Sequence, residues 1–237
     1  MNPIQGLMRR LNAAGLSADA RRIRDERLTY LTPEKLNRLE GTLRDTLQRD
    51  IAGDVLEFGV ALGGSAVLLA KQAKAAGRRF AGFDVFAMIP PPTSEKDDEK
   101  SKQRYEMIAS GQSKGIGGDD YYGYRDDLYG EVVATFARHG LTVDGKEIAL
   151  VKGLFEETWP TEGSKAVAFA HIDCDWYDPV KFCLESVAQR LSAGGVMMLD
   201  DYNDYGGCRT AADEFIAANP GFRFEPGVNP IIRKVAN

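Results

Sequence analysis

The feature that most constrains this chain is a glycine turn set between an apolar strand and a helix-forming run. The segment reads GDVLEFGVALGGSAVLLA over residues 53–70. It predicts a strand at Asp54–Phe58 and a helix at Ser65–Ala76. Gly59 permits a tight turn out of the strand, and we expect Gly63 and Gly64 to let a ligand approach the backbone. Backbone N–H groups at such a helix start are suited to a carboxylate or phosphate.

The same alternation of strand and helix continues along the chain. Further strands are predicted at 79–83, 147–152, 166–172, 195–199, 222–225 and 231–235, and helices at 126–138, 177–191 and 207–218. Alternating β and α units predict an α/β fold with a doubly wound, mostly parallel sheet, of the Rossmann-like type. In such a sheet, ligands bind beyond the carboxyl ends of the strands.

The chain is divided here into a helical cap at 1–50 and a main domain at 51–237. Its 237 residues, 43% of them hydrophobic, suffice for one α/β core. In the cap, Thr32 followed by Pro33 predicts the start of a helix. The cap is expected either to cover the ligand cleft or to form a homodimer interface. An insertion at 88–127 is too long for an ordinary connection, and we expect a partly helical lid there.

Charge and composition narrow the class of partner. The formal net charge is −5, which argues against a nucleic acid or an anionic membrane as partner. No apolar run is long enough to span a membrane, and the N-terminal apolar stretch is too short for a secretory signal. The three cysteines form no CxxC pair, which favours reduced thiols and a cytoplasmic location.

Two acidic residues at strand ends specify the ligand of the glycine turn. Glu57 is poorly suited to a pyrophosphate and suits a cationic ligand, and Asp84 is placed to accept hydrogen bonds from ribose hydroxyls. S-adenosylmethionine offers an ammonium, a sulfonium and a ribose. A nicotinamide dinucleotide, or a βα turn with no ligand, remains an alternative. The candidate cofactor-binding residues are Glu57, Phe58, Gly59, Gly64, Ser65, Asp84, Gly153 and Asp173.

Carboxylates also follow the fourth and fifth strands, in AHIDCDWYDP and VMMLDDYND. If the two strands are neighbours, Asp173, Asp200 and Asp201 converge at one sheet edge. Three carboxylates with no histidine or cysteine partner favour Mg²⁺. The alternative is that these acids cap the following helices. His171 shares a strand face with Asp173, so the candidate catalytic residues are Asp173 and His171; a structural histidine is the alternative.

The chain resembles the macrocin O-methyltransferase (TylF-like) family. The resemblance rests on EFGVALGGSA, FAGFDVF, FARHGL, VKGLFEETWP, AHIDCDWYDP and LSAGGVMMLDDYNDYGGCRTAADEF, in the order that the family has them. It implies a class I methyltransferase fold and a transferase that uses S-adenosylmethionine and Mg²⁺ (EC 2.1.1). It also implies Asp173, Asp200 and Asp201 as metal ligands, and Glu57, Gly59, Ser65 and Asp84 as cofactor-binding positions.

The resemblance places the acceptor pocket at the insertion and the N-terminal helices. The family methylates hydroxyls of sugars or phenols in natural products and surface glycans, and the expected partner is a small molecule of this kind. Tyr121, Tyr122 and Tyr124 are candidates for lining its pocket. Two other functions remain open: a non-catalytic relative that binds the cofactor, and a Mg²⁺ phosphatase with an aspartate nucleophile. Against the phosphatase, the DxD at Asp173 follows the fourth strand and not the first.

Overall fold

The structure is a computed structural model, and it describes residues 15–235. Within them, seven strands form one sheet in the order β3-β2-β1-β4-β5-β7-β6. The strands β1 to β5 are parallel, and the β5–β7 and β7–β6 pairings at one edge are antiparallel. The predicted doubly wound, mostly parallel sheet is therefore confirmed. The order reverses between β1 and β4, and this is the switch point at which such sheets bind ligands.

Helices and strands alternate along most of the chain. The strands are β1 Asp54–Phe58, β2 Phe80–Asp84, β3 Ile148–Lys152, β4 Val167–Ile172, β5 Leu191–Leu199, β6 Phe222–Glu225 and β7 Ile231–Lys234. The helices are α1 Ala18–Asp25, α2 Pro33–Gln48, α3 Gly64–Ala75, α4 Glu99–Ala109, α5 Leu128–Arg138, α6 Phe155–Glu162, α7 Tyr177–Ala188 and α8 Gly206–Ala218. Single 3₁₀ turns lie at Ile116–Gly118, Tyr122–Tyr124 and Asp201–Asn203.

Both faces of the sheet are covered by helices, which explains why its central strands are mostly apolar on both faces. Alternate residues of each strand enter opposite cores. In β1, Val55 packs with α1, α2, α3 and α5 on one face. Leu56 and Phe58 pack with α6, α7 and α8 on the other face.

The N-terminal segment packs directly on the main domain. The predicted helix start at Thr32 is confirmed, since its side chain accepts a hydrogen bond from the Lys35 amide. Ile23 of α1 and Leu36 of α2 are fully buried in the core that covers one sheet face. The division into a cap and a domain stays a prediction, and residues 1–14 of the cap and 236–237 of the domain lie outside the described residues.

Two elements differ from the sequence-based expectation. Strand β5 begins at Leu191, four residues before the predicted 195, because Leu191 pairs with Val167 ahead of an irregularity in the β4–β5 register. Helix α6 was not predicted. Its first turn holds Glu156 and Glu157, acidic residues of the type that stabilise a helix N-terminus. Between residues 15 and 235, no helix has the length and apolarity to cross a membrane.

The insertion at 88–127 contains helix α4 and is fixed to the domain by two adjacent aspartates. Asp98 caps α4 and also accepts a hydrogen bond from the Gly206 amide at the start of α8, at 2.8 Å. Asp97 accepts one from the Tyr177 amide at the start of α7, also at 2.8 Å. The expected partly helical insertion is therefore found, and it is held against the helix N-termini that face the cavity.

Candidate active site

A cavity of about 740 Å³ opens at the carboxyl edge of the parallel strands. Its floor is formed by the ends of β1, β2, β4 and β5, and its walls by the loop before α2, the insertion and the start of α6. The lining includes Tyr30, Lys35, Gly59, Ser65, Asp84, Arg104, Asp173, Asp175, Asp200 and Asp201. The volume lies in the upper part of the range for small-molecule sites.

The predicted cofactor residues divide into two groups. Gly59, Ser65, Asp84 and Asp173 line the cavity, whereas Glu57, Phe58, Gly64 and Gly153 do not. Phe58 is fully buried and stacks on Phe83, with 5.0 Å between the ring centroids. Gly153 has a φ of 148° and donates its N–H to the Asp84 carbonyl. Phe58 and Gly153 thus support the floor of the cavity from behind.

The glycines of the turn have a different role from the one that we expected. We expected Gly63 and Gly64 to let a ligand approach the backbone. Instead, the Gly64 N–H donates to the Leu28 carbonyl at 3.0 Å, and a Cβ atom on Gly64 would lie 2.3 Å from that oxygen. At Gly59, with φ of 94°, a Cβ atom would lie 1.8 Å from the Asp173 carbonyl oxygen. Neighbouring backbone of the protein leaves no room for a side chain at positions 59 and 64, so both must be glycine.

Asp84 organises the turn as well as lining the cavity. One of its carboxylate oxygens accepts hydrogen bonds from the Val60 and Ala61 amides at 2.7 and 2.9 Å, and the other accepts one from Phe86 at 2.6 Å. Burial raises the pKa of Asp84, and these three backbone hydrogen bonds oppose that rise. The carboxylate is thus fixed in orientation at the cavity wall.

Asp173, Asp200 and Asp201 converge as predicted, because β4 and β5 are neighbours in the sheet. Each offers a carboxylate oxygen, and these oxygens lie within 4.8 Å of one another. Burial, followed by repulsion from Asp200 and Asp201, raises the pKa of Asp173 well above its ordinary value. The buried Oδ1 of Asp200 has no hydrogen-bond partner in the described part of the chain. Oxygen donors that repel one another, one of them unsatisfied, fit a hard divalent cation.

A lysine from the N-terminal segment partly compensates this negative charge. The Lys35 ammonium lies 2.9 Å from Oδ2 of both Asp200 and Asp204 and also donates to the Asp200 carbonyl. Burial lowers the pKa of Lys35, but the two carboxylates outweigh this effect and raise it above its ordinary value. Lys35 is therefore a cation at this site and not a base.

Glu57 and His171 form a fully buried pair beneath the aspartates. They are directly opposite in the β1–β4 register, and His171 Nδ1 lies 2.9 Å from Glu57 Oε1. His171 Nε2 has no hydrogen-bond partner among the described residues and lies 4.0 Å from Asp200 Oδ1. Neither residue lines the cavity, and the roles of His171 as a base and of Glu57 as a cofactor-binding residue stay predictions. The pair lies beneath Asp200 without a hydrogen bond to it.

Asp175, two residues after Asp173, is a further acidic residue at the site. It lines the cavity, its backbone has a left-handed φ of 58°, and its N–H donates to Asp201 Oδ2 at 3.0 Å. Burial and the charge of Asp200 raise the pKa of Asp175 to about 7. A non-glycine residue held at positive φ beside such a cluster is a recognised mark of a functional position. Sequence spacing gave no sign of this backbone conformation.

Aromatic side chains form the outer walls. Tyr121, Tyr122 and Trp176 line the cavity, as does Tyr30 from the N-terminal segment. Tyr124, the third predicted tyrosine, does not line the cavity, and its hydroxyl donates to the Ile108 carbonyl at 2.6 Å. Residues 154–157, at the start of α6, complete the wall.

Comparison with known proteins assigns this chain to a protein family. The family model of the macrocin O-methyltransferases (TylF) matches residues 18–220. The 8-demethyl-8-(2,3-dimethoxy-alpha-L-rhamnosyl)-tetracenomycin-C 4'-O-methyltransferase of Streptomyces olivaceus is 26% identical over 190 residues, which cover 79% of this chain and 67% of the relative. The mycinamicin III 3''-O-methyltransferase of Micromonospora griseorubida is also 26% identical, over 79% of this chain and 69% of the relative.

Solved structures of other proteins share the fold of this chain. The O-methyltransferase NovP superposes with a TM-score of 0.71 at 20% identity, covering 89% of this chain and 83% of that one. The calicheamicin methyltransferase CalS11 gives a TM-score of 0.56 at 18% identity, with 92% of each chain covered. These are methyltransferase folds, which confirms the predicted class. The family model spans most of the chain, so the chain belongs to the macrocin O-methyltransferase (TylF) family and is an S-adenosylmethionine-dependent O-methyltransferase.

Proposed function

We propose that this enzyme transfers a methyl group from S-adenosylmethionine to a hydroxyl of a small molecule beside a Mg²⁺ ion held by Asp173, Asp200 and Asp201. The observation that carries the proposal is one continuous cavity lined by both Asp84 at the glycine turn and the three aspartates. In-line methyl transfer requires the donor and the acceptor oxygen in one enclosed space.

The donor end of the cavity is formed by Gly59, Ser65 and Asp84. Asp84 has the position and the fixed orientation to accept hydrogen bonds from ribose hydroxyls. Helix α3 begins at Gly64, and Gly63 before it supplies no side-chain cap, so the positive end of the helix at Ser65 is available to the carboxylate of the methyl donor.

The acceptor end is formed by the three aspartates. A bound Mg²⁺ would lower the pKa of a coordinated hydroxyl and fix its oxygen in place. Asp173 and Asp201 present the oxygens, and Lys35 holds Asp200 through Oδ2, while His171 of the buried pair lies 4.0 Å from Asp200 Oδ1. We assign proton removal from the acceptor hydroxyl to Asp175, because it lines the cavity next to the three aspartates without belonging to them.

The relatives support the acceptor class. One is named for a rhamnosyl-bearing tetracenomycin and another for mycinamicin III. We propose a sugar or phenol hydroxyl of a natural product or glycan as the acceptor. The aromatic wall of Tyr30, Tyr121 and Tyr122 is suited to packing on the ring of such a molecule.

Calorimetric titration tests the donor and the metal separately. The wild-type protein should bind S-adenosylmethionine, and in a second titration Mg²⁺. Asp173→Asn should still bind S-adenosylmethionine but lose Mg²⁺ binding. Asp173 forms no ion pair within residues 15–235, so its substitution leaves Lys35 in place. Asp213→Asn is the matched control, because Asp213 is exposed and, among the described residues, accepts a side-chain hydrogen bond only from Tyr202.

The outcomes separate the remaining alternatives. If S-adenosylmethionine does not bind, the methyl-transfer proposal is refuted. If Asp173→Asn binds Mg²⁺ as well as the wild type, the metal assignment is wrong while the methyl-transfer proposal stands. Binding of S-adenosylmethionine and Mg²⁺ with no S-adenosylhomocysteine formed from glycoside and catechol acceptors would favour a non-catalytic relative.

A further inference from the structure

Helix α4 of the insertion presents two cations to the cavity. Lys100, Arg104 and Ile108 all line it, and their spacing of four residues places them along one helix face. This face lies in the wall of the cavity, whereas the carboxylates of the aspartates lie in its floor. The two cations are therefore placed to meet a part of the acceptor away from the reacting hydroxyl.

Neither cation forms an ion pair with a carboxylate among the described residues, although the charge of Arg104 opposes the rise in the pKa of Asp175 and the charge of Lys100 helps to lower the pKa of Asp98. Lys35, the other cation in the lining, forms ion pairs with Asp200 and Asp204, but Lys100 and Arg104 form none with described residues. Lys100 donates to the Asp204 carbonyl and lies 4.8 Å from the centre of the Tyr205 ring.

Arg104 is positioned in advance by the protein. Its Nη1 donates to Ser113 Oγ at 2.9 Å, and its guanidinium lies 5.6 Å from the centre of the buried Tyr121 ring. Its Nε and Nη2 groups donate no hydrogen bond to any residue in the described range. A guanidinium with one edge held and the other edge open is arranged to bind an oxyanion through paired hydrogen bonds.

The helix that carries these cations is fixed to the domain. Asp98 caps α4 and binds the Gly206 amide, and Asp97 binds the Tyr177 amide. The fit is close at Gly207, where a Cβ atom would lie 2.1 Å from Asp97 Oδ1. The wall that bears Lys100 and Arg104 is thus a built part of the cavity.

We propose that the acceptor carries an anionic group, a phosphate or a carboxylate, which Arg104 and Lys100 bind while its hydroxyl lies at the aspartates. The proposal rests on the proposed function and names its substrate class. In a chain with a net charge of −5 and carboxylates in the cavity floor, an anionic acceptor would be repelled without local cations. Arg104 and Lys100 then act as specificity-determining residues and take no part in the chemistry.

The test compares charged and neutral probes by calorimetry. Thymidine diphosphate is compared with thymidine, and 3,4-dihydroxybenzoate with catechol, each in EDTA so that an anion bound to Mg²⁺ is not counted. The wild-type protein is expected to bind at least one anionic probe about tenfold or more tightly than its neutral counterpart, which corresponds to about 1.4 kcal/mol. The thymidine diphosphate and thymidine pair tests for a phosphate, and the 3,4-dihydroxybenzoate and catechol pair tests for a carboxylate.

Variants test whether Arg104 causes the preference for anionic probes. Arg104→Gln should abolish the preference for the anion, whereas Lys102→Gln, on the same helix and outside the cavity lining, should keep it. Ser113→Ala removes the bond that holds Arg104 but keeps the charge, so a weakened preference is expected to survive.

Three results would overturn the proposal: equal affinity for charged and neutral probes, no binding of either anion, or an unchanged preference in Arg104→Gln. S-adenosylmethionine binding is measured on the same samples. A wild-type protein that does not bind S-adenosylmethionine would refute the proposed function. A wild-type protein that binds S-adenosylmethionine but does not prefer the anionic probes would refute only the anionic acceptor.

Discussion

Gly64 offers a direct test of how the N-terminal segment holds the cofactor turn. In Gly64→Ala, the new Cβ atom would lie 2.3 Å from the Leu28 carbonyl oxygen and 2.9 Å from Ile23 Cγ2. Since Cβ contacts under 3.0 Å are essentially unknown, the Leu28 carbonyl must retreat by 3.0 minus 2.3, or at least 0.7 Å. The Gly64 backbone is ordinary helix, so steric conflict is the main effect and strain in φ is not involved.

The magnitude follows from three contributions. Overpacking costs about 1–3 kcal/mol. The weakened bond from the Gly64 N–H to the Leu28 carbonyl costs about 1 kcal/mol, and the better helix propensity of alanine returns at most about 1 kcal/mol. We therefore expect the free energy of unfolding to fall by about 1–3 kcal/mol, with the melting temperature lowered by about 2–4 °C for each kcal/mol.

The assay is urea unfolding with Gly41→Ala as the matched control. Gly41 lies within α2, and a Cβ atom there would meet no other atom within 4 Å, so alanine should stabilise the protein by about 0.5–1 kcal/mol. Gly64→Ala should also weaken S-adenosylmethionine binding, because the displaced residues Leu28 to Leu31 line the cavity. If Gly64→Ala gains stability as Gly41→Ala does, the N-terminal segment does not pack on the turn in solution, and our account of Gly64 is refuted.

Three further predictions concern buried charges and caps. Glu57→Ala leaves the buried His171 Nδ1 without its partner, so a loss of about 3–5 kcal/mol is expected in chemical denaturation; a loss below about 1 kcal/mol would contradict the pairing. Asp98→Ala removes the cap of α4 and should lower stability by about 1–2 kcal/mol, with faster proteolysis within 88–127 as the local readout. Hydrogen bonds from Arg233, ahead of the opposing effect of burial, lower the pKa of Glu225 from 4.5 to about 2. Its stabilising contribution is present above pH 4.5 and is lost as the pH falls towards 2, so the melting temperature of Glu225→Gln should vary less than that of the wild type across this range.

The class of fold and the floor of the site could be predicted because both depend on local patterns. Apolar runs alternating with helix-forming runs specify a parallel sheet. Once β4 and β5 are neighbours, the register of parallel strands brings Asp173, Asp200 and Asp201 to one edge. The ends of parallel strands coincide by geometry, so this convergence needs no knowledge of side-chain packing.

Other features of the site were decided only by the tertiary structure. Lys35 reaches Asp200 across 165 residues of sequence, and Glu57 pairs with His171 across 114. The same holds for Gly64 against Leu28, since a local pattern shows that glycine is needed but not which atoms require it. Contacts of this kind depend on how whole elements pack. The sequence by itself therefore determined the alternation of strands and helices and the aspartates at the strand ends, while tertiary packing decided the strand order, which residues face the cavity and which support it from beneath.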